Sequence, residues 1–337
     1  MHVVVTGAAG YLGTLLSRAL LGAGPLSLVG APPEPVTALT LVDRFSPPDD
    51  LVADPRVQVV TGDLVDLLAA PGSGLLTGAS AIYHLAAAVS SECEKDFDLG
   101  MRANVECSRL LLEAARASAT KPLFVFASSL AVYGAWPGQV LPDVVTDSTL
   151  PTPRSSYGIQ KFVVEQLVAE YTRKGFVDGR CLRLMTVSVR PGPPNAAASG
   201  FLSGIIREPL AGERAVCPVP ADTRVAVSSP RRTLEGLLTA LTAAAADWGP
   251  PTAFALPALE LRVADMVAAL QEVGGADAVA LIDWVPDAAV RSIVAGWPAR
   301  FDSERAHRLG LTADTDFTQV IRHYVADSPS PPLLPIL

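Results

Sequence analysis

The sequence predicts an α/β protein built on a doubly wound parallel sheet, with a smaller, discontinuous domain formed mainly by the C-terminal half. Three observations predict it. The apolar run Val3-Val4-Val5 closes on Thr6-Gly7-Ala8-Ala9-Gly10-Tyr11-Leu12-Gly13, a glycine-spaced turn that leads straight into a helical pattern. Continuous apolar runs then alternate with helical ones through the first half, as parallel strands covered on both faces require. Beyond about residue 185 the alternation stops and prolines cluster at Pro191, Pro193, Pro194, Pro209, Pro218 and Pro220.

The elements follow in order. Leu12 to Leu21 repeats apolar residues at helical spacing. Ala38 to Val42, Val57 to Val60, Ala81 to Leu85 and Leu123 to Ala127 read as the second to fifth strands. Met101 to Ser118 and Tyr157 to Lys174 are the two longest helical patterns. Arg232 to Ala246 is apolar on most sides and is expected to return to the first domain. Ala264 to Gly274 reads as an amphipathic helix of the second. The expected division is therefore 1–185 with 226–248 for the nucleotide-binding unit, 186–225 with 249–327 for the substrate domain, and a flexible tail over 328–337.

Composition narrows the function. The 337 residues carry 26 Lys plus Arg against 34 Asp plus Glu, a net charge of −8, and half of them are apolar. Such a chain buries a large core and is not disordered. Its acidity argues against nucleic acid or an anionic membrane as partner. The four cysteines, Cys93, Cys107, Cys181 and Cys217, show no zinc spacing, so no metal is expected and they read as buried thiols of a reducing compartment. The N-terminus has no basic leader and no span suits a bilayer, so the cytoplasm is the expected location.

Two motifs carry chemistry. In Gly7-x-x-Gly10-x-x-Gly13 the glycines stand where a pyrophosphate must approach the N–H groups of a helix N-terminus, which a β-carbon would block. Asp43 ends the second strand; an acid there accepts from an adenosine ribose and repels a 2′-phosphate, which favours NAD over NADP although Arg44 follows. It lies 30 residues beyond Gly13, with the insertion Ala31 to Pro35 taking up the excess. Asp63 ends the third strand and either meets the adenine amino group or caps the next helix. In Tyr157-Gly158-Ile159-Gln160-Lys161 a spacing of four puts phenol and ammonium on one helix face. An ammonium there is expected to lower the phenol pKa and make a usable base. Six Tyr and four Lys would give this spacing only about 0.07 times by chance. Upstream, Phe124 to Ala127 runs into Ser128-Ser129 and Val132-Tyr133-Gly134, hydroxyls at a strand's carboxyl end. His84 reads as a structural strand-end residue.

Taken in order, Gly7/Gly10/Gly13, Asp43, Asp63, His84-Leu85-Ala86-Ala87, Asn104, Ser-Ser-x-x-Val-Tyr-Gly and Tyr157/Lys161 resemble the extended short-chain dehydrogenase/reductase superfamily of NAD-dependent Rossmann enzymes, over residues 1 to about 190. The resemblance implies catalytic roles for Ser129, Tyr157, Lys161 and Asn104, the last ordering a proton-relay water. It implies NAD contacts from Gly7, Gly10, Tyr11, Leu12, Gly13, Asp43, Asp63, Leu64, Leu85, Ala86, Ala87, Thr186 and Val187, besides Tyr157 and Lys161. It also implies a homodimer built on the helices at 101–118 and 157–174.

A closer resemblance is to the D-erythronate dehydrogenase family, carried by Asp96 to Gly100, Val189 to Arg224, Ser229 to Arg232, and Trp297-Pro298 with Phe301-Asp302. The sequence departs from that family's pattern at Ser91, where Gly is usual, and at Met185, where Pro is common. The implied reaction is oxidation of the C2 hydroxyl of D-erythronate, or a close sugar acid, to the 2-oxo acid. A small anionic polyol needs a cation and short polar groups. Ser90, Ser91, Ser129, Tyr157, Asn195 and Arg231 are the expected substrate residues, with Arg190 and Arg224 as further cations. The alternatives are a nucleotide-sugar epimerase on the same scaffold and a catalytically silent NAD-sensing regulator, which would have no need of Tyr157 and Lys161.

Overall fold

A computed structural model describes residues 1–70, 72, 74–192 and 197–328. The first half alternates β1 (His2–Thr6), α1 (Tyr11–Gly22), β2 (Ala38–Asp43), α2 (Asp49–Val52), β3 (Val57–Thr61), α3 (Leu64–Ala69) and β4 (Ala81–His84). There follow α4 (Ser90–Lys95), α5 (Phe97–Gly100), a π-helical turn (Met101–Glu106), α6 (Cys107–Ala117), β5 (Leu123–Ser129), β6 (Val145–Thr146), α7 (Ser156–Arg173) and β7 (Asp178–Leu184). The second half adds β8 (Thr186–Val187), α8 (Phe201–Leu210), β9 (Ala215–Cys217), β10 (Arg224–Ser228), α9 (Pro230–Thr242), α10 (Ala245–Trp248), β11 (Phe254–Ala255) and β12 (Leu259–Arg262). It ends with α11 (Val263–Val279), β13 (Ile282–Trp284), α12 (Ala288–Val294), β14 (Phe301–Asp302), α13 (Glu304–Arg308) and α14 (Phe317–Asp327).

Seven strands form the main sheet in the order β11-β7-β5-β4-β1-β2-β3, every pair parallel. Its central strands are largely apolar up to their carboxyl ends because helices cover both faces: β4 is buried at every position and β5 at all but the last. The chain moves outward from β1 to β2 and β3, then returns to β4 on β1's other side. Ligands bind at the carboxyl ends of strands at such a reversal. β1, β4 and β5 deliver Thr6, His84 and Ser129 to that edge.

The long helical pattern from Met101 begins as a π-helical turn, so the regular helix starts only at Cys107. The helix expected over 264–274 runs on to Val279 across a break at Gly275, whose φ of +75° suits glycine. All four cysteines are free and buried. Among the described residues no helix is long and apolar enough to cross a membrane. The predicted tail, from residue 329 on, lies outside the described residues.

Two apolar cores divide the second half. α9 joins the sheet's core through Leu237, Ala240 and Leu241, and buried Arg180 on β7 donates to the carbonyls of Ala240 and Ala243. From the stretch 249–327, Phe254 and Leu256 also belong to this core, as do Ala306 and Leu311. Arg305 explains the last two: its guanidinium donates to the carbonyls of Trp248, Pro250 and Thr252, which draws α13 onto the sheet edge. The other core gathers Leu202, Ile205 and Ile206 of α8, Met266 and Leu270 of α11, and Phe317 and Ile321 of α14.

Candidate active site

Two neighbouring cavities, of about 310 and 380 Å³, open at the carboxyl edge of the sheet and share Gly7, Gly10, Leu85 and Ala87 as walls. The glycines shape the join. Gly7 has φ +72°, and a β-carbon on it would come within 2.6 Å of the Ala86 nitrogen. One on Gly13 would run into the carbonyl oxygen of Gly7. Gly10 meets little protein, so a β-carbon there would fill the cavity instead. α1 starts at Gly10 with no side-chain cap, which leaves first-turn N–H groups for an anion at the positive end of the helix. This cradle fits the pyrophosphate of NAD.

The larger cavity carries Asp43, Asp63, Leu64, Ala86, Arg44, Phe45 and Arg102. Asp43 orders the glycine loop itself: its carboxylate accepts from Ala9 N at 3.0 Å and Phe45 N at 3.1 Å. Lone pairs remain on both oxygens for ribose hydroxyls. Asp63 accepts from Val65 N as the cap of α3 and pairs with Arg102, so the helix-cap reading holds while the residue still lines the cavity.

The smaller cavity is lined by Tyr11, Leu12, Gly13, Ser90, Ser129, Tyr157, Lys161, Thr186 and Val187. Met185, Arg190, Ser199 and Trp297 complete its wall. Tyr157 and Lys161 lie on one face of α7, whose N-cap Ser155 accepts from Gly158 N. Gly158 permits the helix to approach the turn that follows β5, since a β-carbon there would collide with the Ala131 carbonyl. The Ser129 hydroxyl faces the Tyr157 phenol across the cavity and favours its ionised form. Lys161 Nζ donates to the Ala127 carbonyl at 2.8 Å and stands 5.5 Å from the centre of the Tyr157 ring.

The electrostatics correct one expectation. Burial, helped by Cys93, pushes the Tyr157 phenol up to about 12, and the Ser129 hydroxyl and the charge of Arg190 only partly oppose it. Burial in turn brings Lys161 down to about 8. In the chain alone, desolvation outweighs the ammonium that the spacing of four supplies.

Asn104 sits on the π-helical turn. It is buried, and its Oδ1 accepts from Ala88 N at 2.8 Å while Nδ2 faces the Ala88 carbonyl, Gln160 Oε1 and Cys93 Sγ. Its amide fastens the 85–89 segment to α7. His84, pushed down to about 3 by burial, bonds Thr6 and Ser108 and is structural, as expected.

The expected substrate residues separate. Ser90 lines the cavity and accepts from Ala198 N. Ser91 is half-buried on α4 and is not part of the cavity wall. Asn195 lies outside the described residues. Arg231 is on the surface in a two-pronged ion pair with Asp327, and Arg224 reaches across to Glu260. Arg190 is the arginine in the cavity wall. Trp297 enters from the second domain; its only sequence signal was the family resemblance around Trp297-Pro298, because nothing local links it to Tyr157.

Known proteins agree with this geometry. The chain is 47% identical to the D-erythronate dehydrogenase of Cupriavidus necator, over 97% of this chain and 99% of that protein. It is 39% identical to the D-erythronate dehydrogenase of Haemophilus influenzae, over 96% and 99%. A solved nucleoside-diphosphate-sugar epimerase from Agrobacterium tumefaciens superposes with a TM-score of 0.86 at 38% identity, over 97% of this chain and 94% of that one. The sequence pattern of the NAD dependent epimerase/dehydratase family matches residues 3–225. With its glycine cradle, strand-end acids and Ser129–Tyr157 pair, the chain belongs to the NAD dependent epimerase/dehydratase family.

Proposed function

We propose that the chain is an NAD-dependent dehydrogenase that oxidises the C2 hydroxyl of D-erythronate, or of a close sugar acid, to the 2-oxo acid. The observation that carries this reading is one small cavity in which Ser129, Tyr157 and Lys161 meet the cofactor cradle and the cation of Arg190. The names of the relatives at 47% and 39% identity support the substrate. When bound, NAD supplies the hydride acceptor. Tyr157, in its phenolate form, takes the hydroxyl proton, Ser129 holds the reacting oxygen and the phenolate together, and Lys161 keeps a positive charge close enough to favour that form. Arg190 meets the carboxylate, and Trp297 walls the site against water. A 310 Å³ cavity that must also receive the nicotinamide end of NAD suits a substrate of few carbons.

A screen of four- to six-carbon aldonates with NAD and NADP, read by absorbance of the reduced cofactor, tests the proposal. D-erythronate is expected to turn over, with kcat/KM for NAD at least ~10²-fold above NADP, since a 2′-phosphate meets the Asp43 carboxylate at a cost of a few kcal/mol. Equal use of NADP removes Asp43 from the ribose. No turnover of any aldonate, with tightly co-purifying NAD and binding of a UDP-sugar, replaces the reading with a nucleotide-sugar epimerase.

We also propose a cytoplasmic homodimer. Phe97, Leu99 and Met101, at α5 and the π-helical turn, are 64%, 36% and 38% exposed; Ile159 and Val163 on the adjoining α7 are 44% and 40% exposed. A monomer gains nothing from that apolar face, and a second copy covers it. Light scattering at micromolar concentration is expected to give twice the chain mass, and Val163→Arg to give the single mass. A monomeric wild type refutes the proposal.

A further inference from the structure

Behind the cavity wall lies a buried ion pair that the reaction scheme leaves idle. Glu165, one helical turn beyond Lys161 on α7, and Arg183 on β7 are 2% and 5% exposed. Arg183 Nε donates to Glu165 Oε1 at 2.9 Å and Nη2 to Oε2 at 2.7 Å. Both ends are extended. Ser128 Oγ donates to Glu165 Oε1 at 2.5 Å, and Arg183 Nη1 donates to the Tyr133 hydroxyl at 2.5 Å. Ser128 immediately precedes Ser129 and is the direct strand partner of Arg183, and Tyr133 closes the turn that follows Ser129. Four side chains thus bind the end of β5 to β7 and to the helix that carries Tyr157 and Lys161.

Stability alone is a weak reason for such a pair, because well-packed apolar residues often replace buried ion pairs at no loss. Its location gives a better one. The titratable groups that face Lys161 are Tyr157 and Glu165 on its own helix, Cys93, Cys107 and Cys181 from α4, α6 and β7, and His84 from β4. Burial raises the phenol and all three thiols and lowers His84, and Glu165 is the carboxyl group of the set, held by the Arg183 guanidinium.

We infer that Glu165 and Arg183 are positioning residues: their pair holds Ser129 and Lys161 in the relative placement the reaction needs, with Ser128 and Tyr133 fixing its two ends. The kinetic half of the test rests on the proposed dehydrogenase reading; the spectroscopic half does not.

The sequence has four lysines, so protein labelled with ¹³C at the lysine Cε gives four signals, and Lys161→Met assigns one of them. The Lys161 midpoint is expected at about 8 in the wild type and lower in Glu165→Gln, because Glu165 is among the groups that oppose the shift burial causes. With substrate, Glu165→Gln is expected to lose roughly 10²-fold in kcat, with KM and NAD affinity within about threefold, as misplacement without lost contacts predicts. Should Glu165→Gln not fold, the double variant Ser128→Ala/Tyr133→Phe decides: it keeps the ion pair, frees its ends, and is expected to lower kcat about tenfold at constant KM. A folded Glu165→Gln with an unmoved Lys161 midpoint overturns the inference. So does a double variant that loses thermal stability and keeps its kcat. A wild type inactive on every aldonate sinks the dehydrogenase reading instead, and the lysine titration still decides the role of Glu165.

Discussion

Tyr157→Phe is expected to lower kcat for D-erythronate by roughly 10²–10⁴-fold and to leave folding and NAD binding intact. The variant removes one oxygen and keeps the ring, which is half-buried and stands beside the Lys161 ammonium. What is lost is the proton acceptor and the partner of Ser129. General-base removal costs about this much because the hydroxyl proton then has only water to receive it. NAD affinity is held mostly elsewhere, at the Gly7–Gly13 cradle and the Asp43 strand end. Steady-state kinetics with saturating NAD, beside a direct NAD titration, separates the two effects. Near-normal turnover in Tyr157→Phe refutes the phenol as base; loss of NAD binding shows that the residue's main work is holding the cofactor.

The sequence makes some of this site legible and hides the rest for definable reasons. Gly7, Gly10 and Gly13 are readable because the requirement is local: a turn with no room for β-carbons. Tyr157 and Lys161 are readable because helical spacing alone puts them on one face. The sheet is readable because strands buried on both sides leave unbroken apolar runs. The phenol's charge state is not, since it depends on how much water the fold removes, and burial outweighs the lysine four residues away. Asn104 is recognisable by position, while its bonds to Ala88, Cys93 and Gln160 depend on the approach of α7. Trp297 reaches the cavity from the second domain, about 140 residues beyond Tyr157, and no local pattern announces that.

The choice among arginines is the clearest case, and it yields the second large effect. Arg190, Arg224 and Arg231 look alike in sequence, each in a polar stretch near prolines or serines. The fold separates them. Asp327, at the end of α14, comes back to meet Arg231 at the surface, and Glu260 on β12 meets Arg224. Arg190 alone of the three lines the cavity with Ser129 and Tyr157, and its charge is felt by both Tyr11 and Tyr157. Burial and the neighbouring Arg207 lower its pKa from a starting value so high that it stays cationic at neutral pH. Arg190→Ala is therefore expected to raise KM for D-erythronate by roughly 10–10²-fold, the ~1.5–3 kcal/mol of a charge-assisted hydrogen bond. The change falls chiefly on KM because the carboxylate is bound equally in ground and transition states. Arg190→Lys should recover part of it, one charge without the two-pronged geometry. Arg231→Ala should leave KM within about twofold, since an exposed ion pair is worth little and the residue does not reach the cavity. A KM unchanged in Arg190→Ala but raised in Arg231→Ala would reverse the assignment and require α14 to move, carrying Asp327 away and freeing Arg231 for the substrate.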